Sequence, residues 1–179
     1  RVATFRYDES PFAVARERAF VERARAPRVE VATGWGSSAR SPAERGEDPA
    51  AMVAWLEKLP RPCGIFTCTD GWGRAVTRYA HAAGLRVPED LALVGADNDA
   101  LECELISPPL SSVVIPWQEV GKNAATLVRL ALSGKSIEGS RLVVSPIGVV
   151  ARRSCEVPAI VVVCAAFLSL KPCSLASKK

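Results

Sequence analysis

The chain has 179 residues, 49% hydrophobic and 23% charged, with a formal net charge of +4 and a pI near 8.9. That size and balance fit one domain with a packed core and exclude global disorder. The positive residues are scattered from Arg6 through Arg16, Arg28 and Arg45 onward, so no Lys/Arg run reads as a nucleic-acid patch.

Val2 to Phe5 is a short apolar strand candidate. Ser10 and Pro11 then read as the N-cap and first residue of a helix over about Phe12 to Arg25. Helical spacing puts Phe12, Ala15, Ala19 and Phe20 on its apolar face and Arg18, Glu22 and Arg25 on the solvated face. Arg16 lies near the apolar side, where a charge needs a partner or a polar cleft. Val29 to Ala32 is a second strand, and Gly34 to Asp48, rich in Ser, Arg, Gly and Pro, is a loop. Pro49 to Leu59 forms a helix, with Met52, Trp55, Leu56 and Leu59 at helical spacing. Gly64 to Thr67 is a strand. A helix follows over Trp72 to Ala83, stopped by Gly84. Val87-Pro88-Glu89-Asp90 is a turn and Leu91 to Val94 an apolar strand.

The first half therefore alternates strand and helix, with strands apolar on both faces. This predicts an α/β fold built on a parallel, doubly wound sheet. In such sheets ligands sit outside the carboxyl ends of the strands. Two polar clusters fall there, Thr69-Asp70 and Asp97-Asn98-Asp99. Downstream, Ser111 to Ile115 is a strand. Gln118 to Leu132 is a helix with Val120, Ala124, Leu127, Leu130 and Ala131 inward, and Leu142 to Val150 is an extended segment broken by Pro146.

The six cysteines (Cys63, Cys68, Cys103, Cys155, Cys164 and Cys173) include no C-x-x-C pair, and the single histidine, His81, stands apart from them. No metal site is expected, and the thiols read as reduced and buried. Gly-x-Ser-x-Gly, phosphate-loop and Gly-x-Gly-x-x-Gly motifs are absent, so neither an enzyme nor a cofactor is expected. No signal peptide is recognisable in Arg1-Val2-Ala3-Thr4-Phe5. The longest apolar stretch, Ala159 to Leu170, is too short for a membrane-spanning helix. The expected location is the cytoplasm, with no membrane partner.

The segment Ala82-Ala83-Gly84-Leu85-Arg86-Val87-Pro88-Glu89-Asp90, continuing through Leu91 to Gly95-Ala96-Asp97-Asn98, resembles the sugar-responsive regulators of the lactose/galactose repressor family. Further matches are Pro108-Pro109-Leu110-Ser111-Ser112-Val113, Gly121, and the ending Pro146 to Ser154. The variant Gly-x-Asp-Asn-Asp, with Leu101, Glu104 and Ser107 after it, is most similar to the xylose-operon regulators, which join this effector domain to an AraC-type DNA-binding domain. The resemblance covers residues 1–153. It implies a type I periplasmic-binding-protein-like fold of two lobes with the sugar between them.

By that resemblance residues 1–107 form one lobe, 110–134 supply the last strand and helix of the other, and 140–153 return to the first. Most of the second lobe is expected upstream of Arg1, so the chain reads as a fragment of a sugar-binding effector domain. Operator DNA would be reached only through a DNA-binding module outside the chain, and the parent protein is expected to be a homodimer. The implied effector is a small sugar, xylose or a related pentose. The alternative is a sugar-binding protein of an uptake transporter, which shares the two-lobed fold.

The resemblance also assigns roles. Asp97 takes the Gly-x-Asp position whose carboxylate accepts sugar hydroxyls; the plainer reading is a strand-end Asp capping a loop. Arg16 matches the family arginine three residues before a Gly-Phe step, here Ala19-Phe20; the plainer reading is an ion pair with Asp8. Thr69 stands where many relatives have Asn, beside Asp70, which alternatively caps the following helix. Trp117 matches an aromatic position near the ligand in some relatives. Trp72 is a second stacking candidate, and either could instead be core.

After Ser154 the resemblance stops. Residues 154–179 read as an atypical hydrophobic tail. It is either a buried strand or a segment out of frame or otherwise not native to the fold, and uncovered it would be an aggregation hazard.

Overall fold

Alternate residues of a strand point to opposite faces, and here both faces are apolar. Ala3 and Phe5, Ile65, and Leu91 and Leu93 are buried together with Met52 and Leu56 of one helix and Val76 and Ala80 of another. The intervening positions Val2, Phe66 and Ala96 pack on the other side with Ala13 and Phe20. There the Phe20 and Phe66 rings stack with centroids 4.9 Å apart. Each fully buried Leu or Phe of this kind contributes about 1.5–3 kcal/mol.

The computed structural model describes residues 1–6, 10–24, 31–32, 49–137, 139 and 142–156. The elements are β1 (Val2–Phe5), α1 (Pro11–Ala24), β2 (Val31–Ala32), α2 (Pro49–Lys58), β3 (Cys63–Thr67), α3 (Asp70–Ala82), β4 (Leu91–Asp97), α4 (Ala100–Glu104), β5 (Ser111–Val114), α5 (Trp117–Leu132), β6 (Gly148–Val150) and a short 3-10 turn, Arg153–Cys155. The strands form one sheet in the order β2-β1-β3-β4-β5-β6. Its first five members are parallel, with Val2 opposite Gly64, Cys63 opposite Leu91 and Val94 opposite Ser111; β6 closes the edge antiparallel to β5. Helices cover both faces, as a doubly wound α/β fold requires. No described helix is long and apolar enough to cross a membrane.

Several expectations shift. The inward face of α1 is Ala13, Arg16, Glu17 and Phe20, while Phe12, Ala15 and Ala19 are exposed. Two charged residues share the buried stripe because both are paired. Glu17 accepts from the Thr4 hydroxyl at 2.8 Å and from Arg6 Nε at 2.7 Å. Strand β4 runs on to Asp97, and α4 was not foreseen. Ser111–Val114 does not leave for a second lobe: it pairs with β4 in the same sheet. No residue of α5 is buried, so its predicted inward face (Val120, Ala124, Leu127, Leu130 and Ala131) is not enclosed by any described residue. Of the extended segment Leu142 to Val150, only Gly148–Val150 is paired.

Val31 and Ala32 carry the described part of the second predicted strand. Asp8, Arg25, the predicted loop at 34–48, Cys164, Cys173 and the tail from 157 onward lie outside the described residues. Cys63, Cys68, Cys103 and Cys155 are buried. Burial pushes Cys63 up to about 11.

Candidate functional site

Strands β3 and β4 are neighbours, so the two polar clusters at their carboxyl ends come together. Thr69 is extended and caps α3, its hydroxyl accepting from the Trp72 amide at 3.4 Å. The cap is thus Thr69 and not Asp70, which lies one residue inside the helix. Asp70 is 1% exposed. One of its carboxylate oxygens accepts from the Ser112 hydroxyl at 2.5 Å and the other from the Asp99 amide at 2.8 Å. Ser112 Oγ in turn accepts from the Asn98 amide at 3.0 Å. Burial pushes the Asp70 carboxyl above its ordinary range, against the pull of those hydrogen bonds.

This buried carboxylate needs Gly95. A Cβ there would lie 2.2 Å from an Asp70 oxygen and 3.2 Å from its Cα. The chain then turns through two left-handed residues, Asp97 at φ 116° and Asn98 at φ 53°. Backbone of this kind persists only where its surroundings fix it. Asp99 ends the turn by capping α4, accepting from the Leu101 and Glu102 amides.

Arg16 reaches the same place from α1. It donates to Asp97 Oδ1 at 2.8 Å and to the Cys68 carbonyl at 2.6 Å. Its guanidinium lies 5.3 Å from the centroid of the Phe12 ring. Burial pushes Asp97 upward, opposed by the hydrogen bond and charge of Arg16. Among the described residues the acidic partner of Arg16 is Asp97, at the carboxyl end of β4.

An open cleft of about 370 Å³ is lined by Asp70, Gly71, Asp97, Asn98, Asp99, Glu102 and Trp117. Trp117, the first residue of α5, is 54% exposed. The cleft lies at the carboxyl ends of β3, β4 and β5, the end of the sheet where ligands usually sit in such folds. The structure thus gathers Asp70, Asp97 and Trp117 around one opening. Arg16 and Thr69 stand behind it, Arg16 joined to it through Asp97. Trp72 does not face the cleft: its ring centroid is 5.6 Å from that of Phe5, and it packs on the core.

Residues the sequence reading passed over complete the surroundings. Glu102 on the cleft wall is bonded to Arg74, and Ser112 is central to the loop. Arg152 donates to Asn98 from a position 54 residues later in the chain, a separation at which sequence carries no local signal. The arrangement offers carboxylate and amide groups for hydroxyls and one aromatic face. Among the described residues no group of His, Cys, Asp and Glu could hold a metal ion. His81 is exposed on α3, away from these groups.

Residues 1–155 match the family model of a periplasmic binding protein-like domain. The chain belongs to that family. Within it, the xylose operon regulatory protein of Haemophilus influenzae is 33% identical over 110 residues, which are 62% of this chain and 28% of that protein. Among solved structures, a xylose-binding transcription activator, xylR, superposes with a TM-score of 0.70 at 27% identity, covering 86% of this chain and 41% of that one. The transcriptional regulator CelR in complex with cellobiose gives a TM-score of 0.69 at 31% identity, covering 86% of this chain and 46% of the other. The chain therefore spans less than half the length of these family members. They are transcriptional regulators, and the periplasmic-binding-protein-like sheet and helices are what they share with this chain.

Proposed function

We propose that the chain serves as a sugar-sensing part of a bacterial transcriptional regulator, with a pentose such as xylose as the effector. The observation that supports this most is Asp97. It stands at the carboxyl end of β4, on the wall of the cleft, and is held by Arg16 at 2.8 Å. A carboxylate with one oxygen steadied by a guanidinium and the rest free to accept suits two adjacent hydroxyls. Trp117 offers an apolar surface for the ring. Arg16 and Thr69 act in this reading from behind the cleft. Asp70, whose oxygens are already engaged, acts by holding the loop while forming part of the wall.

In the parent regulator, sugar would draw a second lobe onto this face and shift a homodimer between two states, changing how separate DNA-binding modules meet their operator. That places the protein in the cytoplasm. The part of the site described here supplies one wall, so its own sugar affinity is weak.

Saturation-transfer NMR suits weak binding and tests the sugar class. Transfer to D-xylose and related pentoses, absent for glycerol and for L-leucine, is the expected result. Transfer to the sugars no greater than to glycerol would overturn the proposal. So would a tight, pentose-selective isotherm overturn the one-wall account.

A further inference from the structure

Arg152 follows the edge strand β6, yet its guanidinium reaches the loop that carries Asp97. Its Nη1 donates to the Asn98 side-chain oxygen at 3.0 Å and to the Leu110 carbonyl at 2.9 Å. Its Nε donates to Glu104 of α4 at 2.7 Å. The backbone of the same residue is pinned by Ser111: the Arg152 amide donates to Ser111 Oγ at 2.8 Å, and that hydroxyl donates back to the Arg152 carbonyl at 2.9 Å. Two residues on, Ser154 donates to the Leu93 carbonyl at 2.7 Å and accepts from the Ser111 amide at 2.8 Å. The guanidinium therefore starts from a fixed base.

Its target is the least regular backbone at the cleft, the left-handed pair Asp97 and Asn98. Asp70 and Ser112 hold this turn by the amides of Asp99 and Asn98. Arg16 holds the Asp97 side chain of the turn and Arg152 that of Asn98. Arg152 does this from outside, since it is not part of the cleft wall. A rigid fork can serve Asn98, Leu110 and Glu104 at once; a lysine ammonium on a flexible stem cannot reproduce that geometry.

We infer that Arg152 is a positioning residue: acting through Asn98, it fixes the 97–99 turn and hence the direction of the Asp97 carboxylate, tying the β6 edge of the sheet to the ligand loop. The inference rests on the reading of that loop as a ligand site, but its test is read without any ligand.

The test is amide hydrogen exchange in the whole 179-residue chain. Arg152→Gln is expected to speed exchange of the Asp99 amide about tenfold, the worth of one hydrogen bond to a charged group. Amides of Ile65 and Leu93 in the sheet centre should keep their rates. Arg152→Lys should recover part of the loss. Asn98→Ala should give the same local effect, and the double variant no more than either alone, because the two residues act as one unit. Unchanged exchange at Asp99 would overturn the inference. So would acceleration spread equally to Ile65 and Leu93, which marks general destabilisation, or effects that add in the double variant. Failure of sugar binding alone leaves these rates untouched, so the two readings fail separately.

Discussion

The centre of the sheet and the segment that follows it are built from similar apolar residues with opposite fates. In β3 and β4, Ile65, Leu91 and Leu93 are at most 2% exposed. In α5 and the segment leading to β6, Val128, Leu132, Val143 and Ile147 are 58–85% exposed. Helix α5 has a clear apolar stripe in sequence, yet none of its residues is buried. Amphipathic spacing states which face seeks cover; only a packed neighbour turns that into stability. The sheet centre has helices on both faces, whereas α5 has no such layer among the described residues.

The sharpest way to break this comparison is to truncate one leucine on each side of it. Leu93→Ala should cost about 3–4 kcal/mol in denaturant unfolding, from lost burial plus the cavity left in the core. Gly95→Ala comes next, at about 2 kcal/mol, because the new methyl group meets the Asp70 carboxylate and must displace it. Its signature is the loss of protection at the Asn98 and Asp99 amides. Arg16→Met should cost about 1–2 kcal/mol, the value of charge-assisted hydrogen bonds at a partly exposed site. It should also leave Asp97 titrating higher than in the parent chain.

The carboxylates separate by pH. Asp90 is held by the Arg86 side chain at 2.9 Å and titrates at about 2, whereas burial raises Asp97 and Asp70. On acidification Asp97 therefore protonates before Asp90 and the Arg16 pair loses its carboxylate charge, while the Arg86–Asp90 pair persists to about pH 2. The signs in stability are opposite. The stabilisation from Asp90 is present above its unfolded pKa and is lost as pH falls through about 2. Ionised Asp97 is disfavoured by the fold, so its contribution is present below the unfolded pKa and is lost as pH rises through the raised value. Carboxyl-carbon NMR titration checks the order; Asp97 titrating below Asp90 would contradict it. The smallest effect is expected from Leu132→Ala, within about 0.5 kcal/mol of the parent, since 85% of that side chain already faces water. A loss comparable to that of Leu93→Ala would mean α5 is covered in solution.

Much of the sheet was legible because its signals are local. Gly84 ends α3 with φ of +68°, and Pro-rich and polar turns bracket β3 and β4. The strand-end positions of Asp70 and Asp97 followed from the alternation of strands and helices alone. What failed was less local. The inward face of α1 was misplaced because Glu17, which periodicity counts as a solvated charge, pairs with Thr4 of β1 and with Arg6, whereas Arg16 finds the partner its position called for. Helix α4 is five residues long and set by the Asp99 cap, too short to show a period. Strand β5 was sent to the wrong lobe because resemblance gives the order of blocks, not the sheet they join. The part played by Ser112 and Arg152 depends on contacts 42 and 54 residues apart.

The central claim is that the cleft at Asp97 takes the sugar. Two-dimensional amide NMR of the labelled chain titrated with D-xylose tests it most directly. The account predicts shifts confined to Asp97, Asn98, Asp99 and the Trp117 indole, and their loss in Asp97→Ala. Shifts scattered over the surface, or clustered away from this cleft and indifferent to Asp97→Ala, would contradict it.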